Sequence, residues 1–291
     1  MNDLIYKVGE ANCNKVFDKN GGFYEYNLIK SEIAKLSDNG LRKCFVLVGG
    51  NLSDESEYEK IISLIKRKKD KGYKIIFIVT DSISLKEMSI DVIKRCDLLL
   101  HQAVGFVFDN IDIEQKYSYV PELFYVDNEK PKVQNDMIFF GGGSYNREDK
   151  IKEYLRKDNE MKQGTFSIIK DSLNDERIDY SSLQLLMKMF KFSLIICRKE
   201  YRDNSWFTPR FVEAINNWSL PIVDIDFNKN RLYNSYEVAS YDEMIEFIDN
   251  MDESKREDKI IELKKEIKSN REKFAKNIID FCKMKGIVNV K

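Results

Sequence analysis

Short apolar runs, each followed by a stretch with helical spacing, recur along the whole chain, and this alternation most narrows what it can fold into. KCFVLVGG (43–50), YKIIFIVTD (73–81) and DLLLHQA (97–103) are rich in branched and aromatic residues and show no polar alternation. A strand reads this way when both of its faces are covered, as in a parallel sheet. Between them lie EYEKIISLIKRKKDKG (57–72) and KEMSIDVIKRC (86–96), whose apolar residues recur at helical intervals. Parallel neighbours need long crossovers, and amphipathic helices supply them.

After a loop-rich passage, YSYVPELFYVDNEKPKVQND (117–136), which holds two of the four prolines, the pattern restarts. Strand candidates are MIFFGGGS (137–144), GTFSIIKDS (164–172), FSLIICRK (192–199) and SLPIVDI (219–225). The helical stretches are REDKIKEYLRK (147–157), SSLQLLMKMFK (181–191), TPRFVEAINN (208–217) and YDEMIEFIDNM (241–251), followed by a charged helical segment from about 252 to 285. The expectation is an α/β protein of two doubly wound, Rossmann-like domains facing one another across a cleft. Their bounds are placed at 1–130 and 131–270, with a C-terminal helix at 271–291 that packs back on the first.

A chain of 291 residues suits two cores better than one. Lys and Arg total 48 against 49 acids, a net charge of −1, so nothing global favours a polyanion. KRKKDKGYK (66–74) is the one dense basic run, and such runs are more often a solvated helix end than a phosphate contact. The single histidine, His101, excludes a multi-histidine metal site. Any Ser-His-Asp triad would have to use it, yet after CDLLL it reads better as a polar residue closing a strand. Five scattered cysteines without a CxxC pair read as free thiols in a reducing compartment. MNDLIYKVGEAN has no apolar signal region, and no run reaches membrane-spanning length. These features point to a cytoplasmic protein without membrane association.

Three places carry residues suited to chemistry. FFGGGSYNRED (139–149) joins a strand to a helix through three glycines. There Gly142, Gly143 and Ser144 let backbone amides approach a phosphate, and Arg147 adds a charged contact. Taken alone, the same segment serves equally as a plain βα turn. In RKEYRDNSWFTPRFVEAINN (198–217), Arg210 and Glu213 are three apart and share a helix face. Arg210 suits a phosphate, and the Glu213 carboxylate suits the two hydroxyls of a ribose. The plain alternative is a surface ion pair worth a few tenths of a kcal/mol. Asp81 ends the run IIFIVTD, where a general base for an acceptor hydroxyl belongs, although turn and N-cap aspartates are common there. A diphosphate-plus-ribose ligand fits these features better than a nicotinamide cofactor, because GEANCNK (9–15) stands where the glycine turn of such a site would be.

The order of these segments resembles the T-even phage DNA β-glucosyltransferase family, of GT-B fold, nearly end to end. YKIIFIVTD resembles the strand that delivers the family's catalytic aspartate, YSYVPE (117–122) its interdomain linker, and GGGSYNREDKIKEYL (141–155) its glycine-serine loop and helix. RKEYRDNSWFTPRFVEAINNWSLPIVD (198–224) is the closest match, with its Tyr-x-Asp-Asn and Arg-x-x-Glu segments. The loop before Arg147 is shorter than the family's, and Asn146 stands beside Arg147 where a second loop arginine is lacking. The resemblance implies an inverting transferase that moves glucose from UDP-glucose to a hydroxymethylated base in double-stranded DNA, acting as a monomer in the host cytoplasm.

By the same resemblance Asp81 is the base, and Glu25, in GGFYEYNLIK (21–30), is an acidic residue near the transferred sugar. Gly142, Gly143, Ser144, Arg147, Ile178, Tyr201, Arg210 and Glu213 form the donor site. Mg2+ or Mn2+ would assist departure of UDP without a fixed protein metal site. Two other readings stand beside this one: a GT-B transferase with a protein, glycan or small-molecule acceptor, and a silent nucleotide- or DNA-binding module.

Overall fold

The computed structural model describes residues 4–8, 22–38, 43–80, 85–132, 134–141, 166–169, 184–185, 187–196, 199–225, 227 and 231–287. The chain forms two units. Met1–Leu123 with Asn270–Lys291 make the first, and Phe124–Ser269 the second.

Unit one is built on a five-stranded sheet in the order β1-β2-β3-β4-β5. Its strands are β1 (Ile5–Val8), β2 (Cys44–Gly49), β3 (Lys74–Val79), β4 (Leu98–His101) and β5 (Glu114–Tyr117). Every pairing is parallel. Helices α1 (Gly22–Asp38), α2 (Glu55–Asp70), α3 (Glu87–Lys94) and the short α4 (Val120–Leu123) connect or follow them. The register sets Val46 beside Ile76 and Ile76 beside Leu98, so alternate residues of neighbouring strands share a face.

On one face Val46, Val48, Ile76, Ile78, Leu98 and Leu100 pack against Ile29, Ile33 and Leu36 of α1. The same cluster takes Phe274, Ile278, Phe281 and Cys282 from α8 (Glu253–Met284), the 32-residue helix whose first half belongs to unit two. On the opposite face Phe45, Leu47, Ile75, Phe77 and Leu99 are buried as well, with Lys68 of α2 lying 4.6 Å from the Phe45 ring centroid. Burial on both faces is the physical reason these strands carry no polar alternation. At the carboxyl end of β2, a Cβ on Gly49 would collide with the Val8 carbonyl of β1, so this glycine answers a close backbone approach. Cys44, Cys96 and Cys282 are free and buried; the hydrogen bond with Cys282, and then burial, raise the Cys44 pKa, and burial raises that of Cys96, so both thiols stay protonated.

Unit two has a parallel sheet in the order β10-β9-β8-β6-β7. Its strands are β6 (Asn135–Gly141), β7 (Phe166–Ile169), β8 (Phe190–Ile195), β9 (Leu220–Asp224) and β10 (Tyr236–Val238). The described helices are α5 (Lys199–Asp203), α6 (Arg210–Asn216), α7 (Tyr241–Asp249) and the start of α8. The chain leaves β6 in one direction to form β7, then places β8, β9 and β10 in turn on the other side of β6. The strand order therefore reverses between β6 and β8. In open parallel sheets such a reversal opens a crevice at the carboxyl ends of the two strands, and ligands bind there.

Arg256 of α8, 1% exposed, fastens the opposite end of this sheet. It donates to Trp218 O at 2.6 Å, Lys191 O at 3.2 Å, Gln134 Oε1 at 3.0 Å and Glu253 Oε1 at 2.7 Å. The surface depression lined by Lys130, Lys132, Gln134, Lys191 and Glu253 also lies at these amino ends, away from the reversal point.

Candidate functional site

The carboxyl ends of β6 and β8 meet at the reversal point, and the segment that follows β8 carries the described part of the candidate site. α5 is a single turn closed by Ser205, whose φ of 54° is left-handed. Ser205 N donates to Arg202 O at 3.1 Å and Trp206 N to Tyr201 O at 2.8 Å, the paired bonds of a Schellman ending. That turn folds Trp206 back so that its ring stacks on Tyr201, with centroids 6.4 Å apart, while Trp206 itself is buried. Tyr201 is thereby fixed at the carboxyl edge of the sheet.

α6 follows, starting directly after Pro209 with the bond from Glu213 N to Pro209 O at 2.9 Å. Phe211, Val212, Ala214 and Ile215 are all fully buried, so the helix is clamped on every side. Phe207, Phe211, Phe227 and Tyr233 form one aromatic cluster beneath it. On this rigid turn Arg210 Nη1 donates to Glu213 Oε2 at 3.1 Å, as expected of residues three apart. The two differ in exposure: the Arg210 side chain is 49% exposed and that of Glu213 only 5%. The arrangement is a buried carboxylate with one oxygen occupied, beside an arginine that reaches into solvent. Among the described residues nothing donates to the other Glu213 oxygen.

One neighbouring pair was not singled out from the sequence. Asp224, the last residue of β9, is fully buried, and Arg202 Nη1 donates to its Oδ2 at 3.0 Å. An acid closing the apolar run LPIVD was a visible signal. Its partner, 22 residues earlier, was not visible, because the contact depends on β8 and β9 lying side by side.

Gly142, Gly143, Ser144, Arg147 and Ile178 lie outside the described residues, and so does Asp81. The described chain reaches Val79 at the end of β3 and then Thr80, whose N–H donates to Gly49 O at 3.0 Å. Glu25 falls in the first turn of α1, and its side chain is outside the described set. His101 closes β4 with 1% exposure. Its Nδ1 accepts from Ala103 N at 3.2 Å, and its ring meets Phe108 edge-on at 5.0 Å. Burial lowers its pKa to about 4, so the ring is neutral at physiological pH. The basic run 66–74 is partly engaged with its own unit: Lys68 lies over Phe45 and Tyr73, while Lys69 and Lys74 pair with Asp97. Among the described residues no cluster of His, Cys, Asp and Glu could hold a metal ion, and no helix is long and apolar enough to cross a membrane.

No protein-family model matches the sequence, and no curated protein does. Solved structures do. One is a trehalose-6-phosphate synthase studied for glycosyltransfer with retention, at TM-score 0.55 and 11% identity over 88% of this chain and 78% of that one. A second is the α,α-trehalose 6-phosphate synthase of Burkholderia multivorans, at TM-score 0.53 and 10% identity over 89% and 76%. An α1,3-fucosyltransferase aligns at TM-score 0.50 and 12% identity over 88% and 80%. The fold is GT-B. Identities this low speak for the fold alone, and the GT-B architecture fits the two parallel-sheet units described above.

Proposed function

We propose that the protein is a glycosyltransferase that uses a UDP-sugar, with unit two as the donor domain. The observation that carries this reading is the Arg210–Glu213 pair: a buried carboxylate and a solvent-reaching guanidinium on one helix turn, just beyond the carboxyl end of β8 where the strand order reverses. A carboxylate accepts hydrogen bonds from both hydroxyls of a ribose, and a guanidinium matches a phosphate edge. Gly142, Gly143, Ser144 and Arg147 would cradle the diphosphate after β6, and Ile178 and Tyr201 would complete the donor site. Positive charge placed there stabilises UDP as negative charge develops on it during departure.

The fuller version of the proposal follows the family resemblance. Glucose is the sugar, and the acceptor is the hydroxyl of a hydroxymethylated base in DNA, flipped out of the duplex to become reachable. Asp81 would take the proton from that hydroxyl as its oxygen attacks the anomeric carbon from the face opposite UDP, with Glu25 near the sugar. Such an attack inverts the anomeric centre. Mg2+ or Mn2+ would assist departure of UDP by binding its diphosphate.

A protein, glycan or small-molecule acceptor is the second reading. It is favoured by the net charge of −1 and by the engagement of Lys68, Lys69 and Lys74 within their own unit, which leaves less basic surface for a DNA backbone. The deciding assay offers radiolabelled UDP-glucose with unmodified DNA, hydroxymethylcytosine DNA and hydroxymethyluracil DNA, using wild type and Asp81→Ala. Label entering only hydroxymethylated DNA, and only with wild type, supports the full proposal. UDP release without label on any DNA moves the acceptor to the second reading, and absence of UDP binding overturns the donor assignment.

A further inference from the structure

We infer that Arg202, oriented by the buried carboxylate of Asp224, is a second diphosphate-binding arginine of unit two. This rests on the reading of unit two as a nucleotide-sugar domain and adds to it a residue that pattern reading did not single out.

The placement follows from the sheet. β8 and β9 run parallel with Ile195 beside Val223, so Asp224 stands at the same carboxyl edge at which β8 releases the chain into α5 and α6. Arg202 on α5 and Arg210 at the head of α6 therefore both issue from the connection that follows β8 and lie at the edge where the strand order reverses. Each is held by a buried carboxylate: Arg202 Nη1 by Asp224 Oδ2 at 3.0 Å, and Arg210 Nη1 by Glu213 Oε2 at 3.1 Å. The Asp224 side chain is fully buried and that of Arg202 is 23% exposed.

A guanidinium carries five N–H donors in a planar fork, and one bond to a carboxylate fixes its plane while using a single donor. Among the described residues Asp224 is the only acceptor of the Arg202 fork. The backbone beneath it is fixed too, because Arg202 O accepts from Ser205 N in the turn that stacks Tyr201 on Trp206. An arginine on a fixed backbone turn, with one donor held by a buried carboxylate and its side chain 23% exposed, is preorganised for a bidentate oxyanion such as a phosphate. Two such forks after one strand suit a diphosphate better than a single phosphate.

The test measures UDP, UMP and uridine binding to the full chain by calorimetry, for wild type, Arg202→Gln and Arg202→Lys. Gln keeps a hydrogen bond to Asp224 and loses the charge; Lys keeps a cation beside Asp224 and loses the fork. The expected result is UDP affinity lowered about tenfold or more in Arg202→Gln with uridine affinity held, alongside a lower melting temperature because the buried Asp224 loses its cation, and a smaller loss of UDP affinity in Arg202→Lys. Unchanged UDP affinity, or parallel losses for UDP and uridine, overturns the inference and leaves Arg202 as the neutralising partner of Asp224. Should Arg202→Gln fail to fold, Arg202→Lys decides by the same UDP-to-uridine ratio. Wild type that binds no UDP overturns the donor reading itself and this inference with it, and that outcome is visible before any variant is made.

Discussion

Replacing Glu213 with Gln changes one charge and almost no volume, and it tests the ribose assignment directly. The Glu213 side chain is 5% exposed, its Oε2 takes the Arg210 guanidinium at 3.1 Å, and among the described residues nothing donates to its other oxygen. Ribose hydroxyls donating to this group would make hydrogen bonds to a charged acceptor, each worth roughly 1.5–3 kcal/mol net. Gln retains one acceptor oxygen but presents an NH2 where a hydroxyl needs an acceptor, so the expected loss is about 2 kcal/mol, or roughly thirtyfold in UDP affinity. The fold should barely respond, because Arg210 is half exposed and such pairs contribute at most about 1 kcal/mol. Calorimetric titration of UDP against 2′-deoxy-UDP gives the cleanest comparison. Wild type should prefer the ribonucleotide by roughly tenfold or more, and the variant should lose most of that preference. A variant that keeps both its UDP affinity and its preference for the 2′-hydroxyl would refute the reasoning, and the Arg210–Glu213 pair would be a local helix contact.

Two further outcomes test the packing around the sites. The pKa of buried His101 is lowered to about 4, below its unfolded value of about 6.5, so the unfolded chain takes up the proton first as pH falls. The stability of the neutral ring is therefore full above pH 6.5 and is lost as pH drops toward 4. Between pH 7 and pH 4.5, wild type should lose about 2 kcal/mol more than His101→Gln in urea unfolding, and equal losses would show that the ring titrates freely. Arg256→Met keeps the stem and strips the donors from Lys191 O, Trp218 O and Gln134, so the urea midpoint should fall by the equivalent of about 2–4 kcal/mol. A shift under about 1 kcal/mol would mean that water replaces the arginine at those carbonyls.

The alternation of apolar runs and helical stretches was enough to read parallel α/β architecture, because strands buried on both faces leave a plain imprint. β5 left none. Its EQKY is half exposed at the sheet edge, where polar residues are tolerated, and it fell just before a passage that reads as linker. Within that passage Val120, Pro121, Glu122 and Leu123 form a buried helical turn, a Pro-containing segment held by packing against its unit. The start of β8 was also displaced: Phe190 and Lys191 read as the tail of a helix, yet Phe190 pairs with Asn135 ahead of a register shift in β6. At the candidate site, Arg210 and Glu213 were legible because a helix puts residues three apart on one face. Arg202 and Asp224 were not, since only the sheet brings them together.

The packing of Phe274, Ile278, Phe281 and Cys282 into the same cluster as Ile5, Val46 and Ile76 has a consequence for biosynthesis. The residues that complete the core of unit one are made only after all of Phe124–Ser269. At a translation rate of ~5–20 residues per second, the nascent unit waits on the order of ten seconds with one face of its sheet covered by α1 but not by α8. Unit two, continuous in sequence, has no such wait. Ribosome-associated chaperones should therefore engage the emerging chain most strongly through unit one, and shortening α8 from its far end should release that unit to aggregate while leaving the other soluble.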